Sequence, residues 1–144
     1  MKIARILATK GAEVVTIGPE RTVREAVALL ERRNIGALVV VDEVGRPVGI
    51  ISERDIVREA ARSENVCARR VAEIMTRDVV TGAPQDDLPS VANTMTERRI
   101  RHLPVVEQGR LVGIISIGDV VKAQRDEYQG ELDTLRVQLS EGRP

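Results

Sequence analysis

Phenylalanine and tryptophan are absent from the 144 residues, and Tyr128 is the one aromatic side chain. The core must therefore be aliphatic, and the stacking platforms on which single-stranded nucleic acids lie are missing. A single cysteine, Cys67, excludes an internal disulfide and sets the expectation of a reduced, cytoplasmic setting. It stands among Glu64, Arg69 and Arg70 with no histidine nearby in sequence, which speaks against a nucleophilic thiol. With 22 basic and 22 acidic residues the formal net charge is zero, so no field exists to hold nucleic acid or an anionic membrane. Long apolar runs are lacking too. The longest uncharged one, Ile35 to Val41, suits a buried strand and is far too short for a bilayer. The N-terminal set Ile3, Ile6 and Leu7 is broken by Arg5 and Lys10, so no secretory leader is expected.

What is present is an ordinary globular balance, 42% apolar and 31% charged, in a length that fits one domain or two small halves sharing a core. The second alternative is favoured by an internal repeat. Val14-Val15-Thr16 returns as Val79-Val80-Thr81, and the same offset pairs Pro19 with Pro84, Arg33 with Arg98, Ile35 with Ile100 and Leu38 with Leu103. Past the next turn the offset shortens by one, pairing Gly45-Arg46 with Gly109-Arg110 and Val48 to Ser52 with Val112 to Ser116. A length change confined to a turn is what a structural repeat tolerates.

Both copies read alike. A short β segment ends at Thr16 or Thr81. In the first copy Thr22 and Glu25 form a capping box, followed by Val23, Ala26, Val27 and Leu30 at helical spacing. The second copy keeps the spacing with Leu88, Val91, Ala92 and Met95 but lacks the box. Two apolar segments around a glycine turn then predict a hairpin, and a helix leaves each hairpin just after its serine. Leading helices carrying Ile3, Ile6 and Leu7, or Val71, Ile74 and Met75, precede the copies. The unit is β-α-β-β-α, twice, an α+β fold. The boundaries are 1–62 for the first repeat, 63–69 for a polar linker, 70–125 for the second repeat and 126–144 for a helical extension.

The repeated heptad is Gly49-Ile50-Ile51-Ser52-Glu53-Arg54-Asp55 and Gly113-Ile114-Ile115-Ser116-Ile117-Gly118-Asp119. Taken alone, Ser-x-x-Asp is a helix start with serine as cap and the acid as its reciprocal partner. The glycines sit at the start of a buried strand, where a missing side chain permits close backbone approach. Each serine opens a helix, whose free N–H groups and positive terminus suit a phosphate or a ribose oxygen. An aspartate one turn in can accept hydrogen bonds from a ribose cis-diol. Ile35, Leu38, Ile100 and Leu103 offer flat aliphatic surface for an adenine ring. None of this needs a catalytic base.

With Ile35-Gly36-Ala37-Leu38-Val39-Val40-Val41-Asp42 and Arg101-His102-Leu103-Pro104-Val105-Val106 before the two heptads, and Ala72-Glu73-Ile74-Met75-Thr76 between the copies, the whole chain resembles a tandem pair of cystathionine-β-synthase (CBS) domains standing alone. The resemblance implies a pseudo-twofold pair whose sheets face each other across two composite clefts. It implies one nucleotide site at Ser52, Glu53, Arg54 and Asp55 with Met75, Val80, Thr81, Ile100, Arg101 and His102. It implies a second at Ser116, Ile117, Gly118 and Asp119 with Leu7, Val15, Thr16, Ile35, Gly36 and Ala37. It further implies AMP, ADP or ATP as ligand, with NAD or S-adenosylmethionine behind them, and a regulatory role towards an unidentified partner protein.

Three further expectations follow. Arg101 and His102 stand where the first copy has Gly36 and Ala37, so phosphate-binding groups are expected in the cleft closed by Asp55 and not in the other. Tyr128 and Leu135, with Leu132 and Leu139 interleaved, form a short heptad seam, pointing to contact with a second subunit. No paired acids, metal cluster or nucleophile–base set is present, so no enzyme, metal or catalytic cofactor is expected. The alternative to a ligand sensor is a ligand-free dimeric scaffold that docks a partner.

Overall fold

The computed structural model describes residues 1–11 and 13–141; residues 142–144 of the expected extension lie outside them. In chain order the elements are α1 (Ile3–Lys10), β1 (Thr16–Ile17), α2 (Val23–Arg33), β2 (Ala37–Val41), β3 (Pro47–Ser52), α3 (Glu53–Ala60), α4 (Val71–Ile74), α5 (Leu88–Arg98), β4 (His102–Glu107), β5 (Arg110–Ser116) and α6 (Ile117–Glu141). One sheet runs β1-β2-β3, with β1 parallel to β2 and β2 antiparallel to β3; the other is the β4-β5 hairpin. The molecule is α+β and carries the unit twice.

Local chemistry accounts for the helix starts. Thr22 accepts from the Glu25 N–H to open α2, and Asp87 does the same for α5 through Ser90, supplying a cap where no Thr-x-x-Glu is available. Asn34 and Arg99, at matched places, close those two helices in the left-handed region with φ of 52° and 55°. The second copy's first strand shrinks to a bridge in which Gly82 donates to the Pro104 carbonyl and accepts from Val106. Pro104 stands where the first copy has Val39, and its missing N–H removes the bond that would extend the ladder to Val80. In the first copy β1 begins at Thr16 instead of ending there.

The two hydrophobic cores do not follow the order of the sequence. One gathers Ile17, Val23, Leu30, Leu38, Val40 and Ile51 of the first repeat with Val71, Ile74 and Met75 of the second leading helix. The other gathers Leu88, Val91, Met95, Leu103, Val105 and Ile115 with Ile3, Ile6 and Leu7 of the first leading helix. Each repeat lends its leader to the other. The stretch 63–69 is packed as well: Val66 buries into the first core, and Arg69 pairs with Glu59 at 3.2 Å.

Candidate functional site

The exchange of leaders lays each leading segment on the other repeat's hairpin. A Cβ placed on Gly113 would lie 2.5 Å from Leu7 Cδ2, and one on Gly49 would lie 2.5 Å from Met75 Sδ. The absent side chain of each repeated glycine thus lets the other repeat's leading segment lie on the hairpin. Thr76 is locked further by reciprocal backbone bonds with Ile50, at 2.8 and 2.9 Å.

At the end of each hairpin the serine and aspartate form the reciprocal cap. Ser52 N–H donates to Asp55 Oδ2 at 3.0 Å, and Asp55 N–H to Ser52 Oγ at 3.2 Å. Ser116 and Asp119 repeat this at 2.9 and 3.1 Å. The remaining partners differ. Thr76 donates its hydroxyl to Asp55 Oδ1 at 3.4 Å, a long bond from an uncharged donor. Asp119 instead receives the Lys10 ammonium at 2.6 Å on Oδ2, and the same Nζ donates to the Ile114 carbonyl at 2.9 Å. Burial pushes the Asp119 carboxyl up, but the Lys10 hydrogen bond, the Ser116 N–H and the Lys10 charge outweigh it and hold the group below the usual carboxylate range.

Beside Ser116 lies a cavity of about 330 Å³, lined by Lys10, Glu13, Val14, Val15, Ile35, Gly36, Ala37, His102, Ile114 and Ser116. Five residues of the expected second site line it: Ser116, Val15, Ile35, Gly36 and Ala37. Asp119 is tied to its wall by Lys10, and Leu7 packs behind on Gly113. Ile117, exposed, fixes the helix start by donating its N–H to the Arg101 carbonyl, and exposed Gly118 lies next to Ser116. Thr16 faces elsewhere. Val15 lines this cavity, while Thr16 lines another of about 450 Å³ with Ile17, Gly18, Arg21 and Glu25.

Of the other expected set, Ser52, Asp55 and Met75 come together at the Thr76 segment, while Val80 and Ile100 pack against the second core. Arg54, Thr81 and Arg101 are exposed. Glu53 donates its N–H to the Gly36 carbonyl at 3.0 Å. His102 lies in the Ser116 cavity, its ring 3.6 Å from where a Cβ on Gly36 would be. Basic groups thus stand in the cleft where none were expected. β4 pairs His102 with Ser116 of its own hairpin, and Lys10 arrives from α1, so both groups meet in the cleft expected to lack them. Burial, then the cations Lys10 and Arg101, hold the His102 imidazole below its ordinary range against the opposing pull of Asp119 and Glu53. Lys10, Glu13, Val14 and Ile114 were not among the expected residues. The one signal for Lys10 lay in the leaders: aligning Ile3, Ile6 and Leu7 with Val71, Ile74 and Met75 makes Asp78 its counterpart, a reversal of charge.

The family model for the CBS domain matches twice, over residues 4–62 and 71–126. The chain belongs to the CBS-domain family. A CBS-domain protein of Agrobacterium tumefaciens, ATU1752, is 42% identical in its crystal structure, with a TM-score of 0.83 over 86% of this chain and 99% of that one. The CBS domain-containing protein YhcV of Bacillus subtilis is 34% identical over 81% of this chain and 82% of its own length. The CBS domain pair of protein MJ0100, solved in complex with 5′-methylthioadenosine and S-adenosyl-L-methionine, is 30% identical with a TM-score of 0.79 over 88% of this chain and 98% of that one. Among the described residues of this CBS pair no cluster of three or more His, Cys, Asp or Glu is placed to hold a metal, and no helix is long and apolar enough to cross a membrane.

Proposed function

We propose that this CBS pair is a regulatory module that binds an adenosine compound between its repeats, performs no chemistry on it, and passes the ligand state to a partner protein. The observation that carries this reading is the Ser116 cavity. It joins an aliphatic wall (Val15, Ile35, Ala37) to a helix start, a carboxylate and two basic groups. The wall suits a purine, the α6 N-terminus and the basic groups suit phosphate, and Asp119 suits a ribose diol. Asp55 offers the same carboxylate in the other cleft. AMP, ADP and ATP fit this chemistry, as do NAD and S-adenosylmethionine, and the ligands bound to the MJ0100 pair are of the same class. A melting panel of these compounds tests the reading. Ligand at about 100 times its dissociation constant stabilises the fold by roughly 2.7 kcal/mol, and unchanged ligand after incubation supports binding without turnover.

The working form is proposed to be a homodimer. α3 is amphipathic yet buries none of its residues, leaving Val57 exposed, and Val121 at the matched place on α6 is exposed too. Tyr128, Leu135 and Leu139 are exposed along one seam of the projecting part of α6. A scaffold that only dimerises would use these faces and leave the cavity unoccupied; scattering mass tests the dimer, and a dimer whose melting does not shift with any of the adenosine compounds would favour the scaffold.

A further inference from the structure

In the Ser116 cleft one oxygen of the Asp119 carboxylate, the acceptor read for a ribose diol, is already engaged by a cation. Lys10 Nζ sits 2.6 Å from Asp119 Oδ2, the same oxygen that accepts the Ser116 N–H, and is steadied by the Ile114 carbonyl. The pair is partly screened, with side chains 33% and 24% exposed, so it can open without unfolding the helix start. A lysine at the end of a helix, on a flexible four-carbon stem, can swing its ammonium into the cavity it already lines. A carboxylate that lines that cavity, Glu13, pairs with Arg33 at 3.2 Å on the exposed rim. On the other side the matching carboxylate, Asp55, meets beyond its own Ser52 cap only the Thr76 hydroxyl, and the counterpart of Lys10 is the acidic Asp78.

We propose that Lys10 is a displaceable counter-ion that makes the Ser116 cleft select phosphorylated adenosine compounds over unphosphorylated ones. This rests on the reading that Asp119 takes the ribose. A nucleoside entering the cleft replaces an ammonium on Asp119 by neutral hydroxyls and leaves the lysine without an anion. A nucleotide brings that anion with it: the phosphate receives the ammonium as the diol takes Asp119. The lysine thus opposes one ligand class and assists the other from a single position.

Calorimetric titration of adenosine and of AMP into the full chain, in an Asp55→Ala background that silences the other cleft, reads this directly. Lys10→Met is expected to tighten adenosine and weaken AMP, each by about tenfold, and Lys10→Arg to keep the preference for AMP. A melt of each variant without ligand checks that the fold survives. If Lys10→Met changes both affinities alike, or neither, the counter-ion role is overturned while adenosine binding stands. If the Asp55→Ala protein binds neither compound although the unaltered chain does, the Ser116 cleft is not the adenosine site and the proposal falls with it. If the unaltered chain binds neither, the adenosine reading itself has failed.

Discussion

Met75 rests on Gly49: its sulfur lies 2.5 Å from where a Cβ on that glycine would be, with the Thr76 carbonyl oxygen at 3.0 Å. The sulfur is the mobile end of a side chain, but the carbonyl is pinned by its bond from the Ile50 N–H. Gly49→Ala is therefore expected to lose about 1–3 kcal/mol by overpacking. Gly113→Ala meets Leu7 side-chain atoms only and should lose less. Gly130→Ala, on open helix surface, should gain about 0.5–1 kcal/mol. Denaturant melts of the three variants order them.

Leader exchange makes the two repeats one cooperative unit. Ile3 is fully buried in the core built mainly by the second repeat, so Ile3→Ala is expected to cost about 2–5 kcal/mol. The melt should stay a single transition, coincident by circular dichroism and by calorimetry. Two separated transitions would mean that the repeats fold independently.

Much of this was legible because it is local. Ser52 with Asp55 and Ser116 with Asp119 are three residues apart, so the cap could be read directly. The close approach at Gly49 and Gly113 was legible as a requirement, since only a missing side chain explains glycine in a buried strand. The interatomic detail of what intrudes was not. Lys10 went unread because its partner is 109 residues away and no local pattern couples them. His102 lies with Ser116 and not with Asp55 because the β4–β5 register pairs the two across one hairpin, a pairing that the repeat alignment alone does not reveal. Thr16 lines a different cavity from its neighbour Val15, a division that no local pattern marks.

The lone histidine gives the stability a pH signature. His102 titrates below its ordinary value of 6.5 in the folded chain, so on acidification the unfolded chain takes up the proton first. The stability is fully present above that value and is lost as pH falls through it towards the folded pKa. Melting temperature should accordingly fall between about pH 7 and pH 5, and His102→Gln should flatten that part of the profile. An unchanged slope in His102→Gln would place the titrating group elsewhere.

In the proposed reading Asp55 and Asp119 hold a ligand as well as capping a helix, and substitutions separate the two roles. Asp119→Asn keeps an acceptor for the Ser116 N–H but loses the charge that holds Lys10, whereas Asp119→Ala loses both. Without ligand, each alanine variant is expected to cost about 1 kcal/mol, since the bond from the serine N–H is lost while the serine cap itself remains. With ligand, each should additionally weaken binding in its own cleft by about 1.5–3 kcal/mol. Calorimetric titration beside a denaturant melt resolves the two contributions.

The central claim, adenosine binding between the repeats, is tested most directly by titrating AMP into the full chain and into the Asp55→Ala, Asp119→Ala double variant. Saturable binding to the former, lost in a double variant that still melts cooperatively, is the predicted result. Binding that survives in the double variant, or no binding by the unaltered chain to AMP, ADP, ATP, NAD or S-adenosylmethionine, would contradict it.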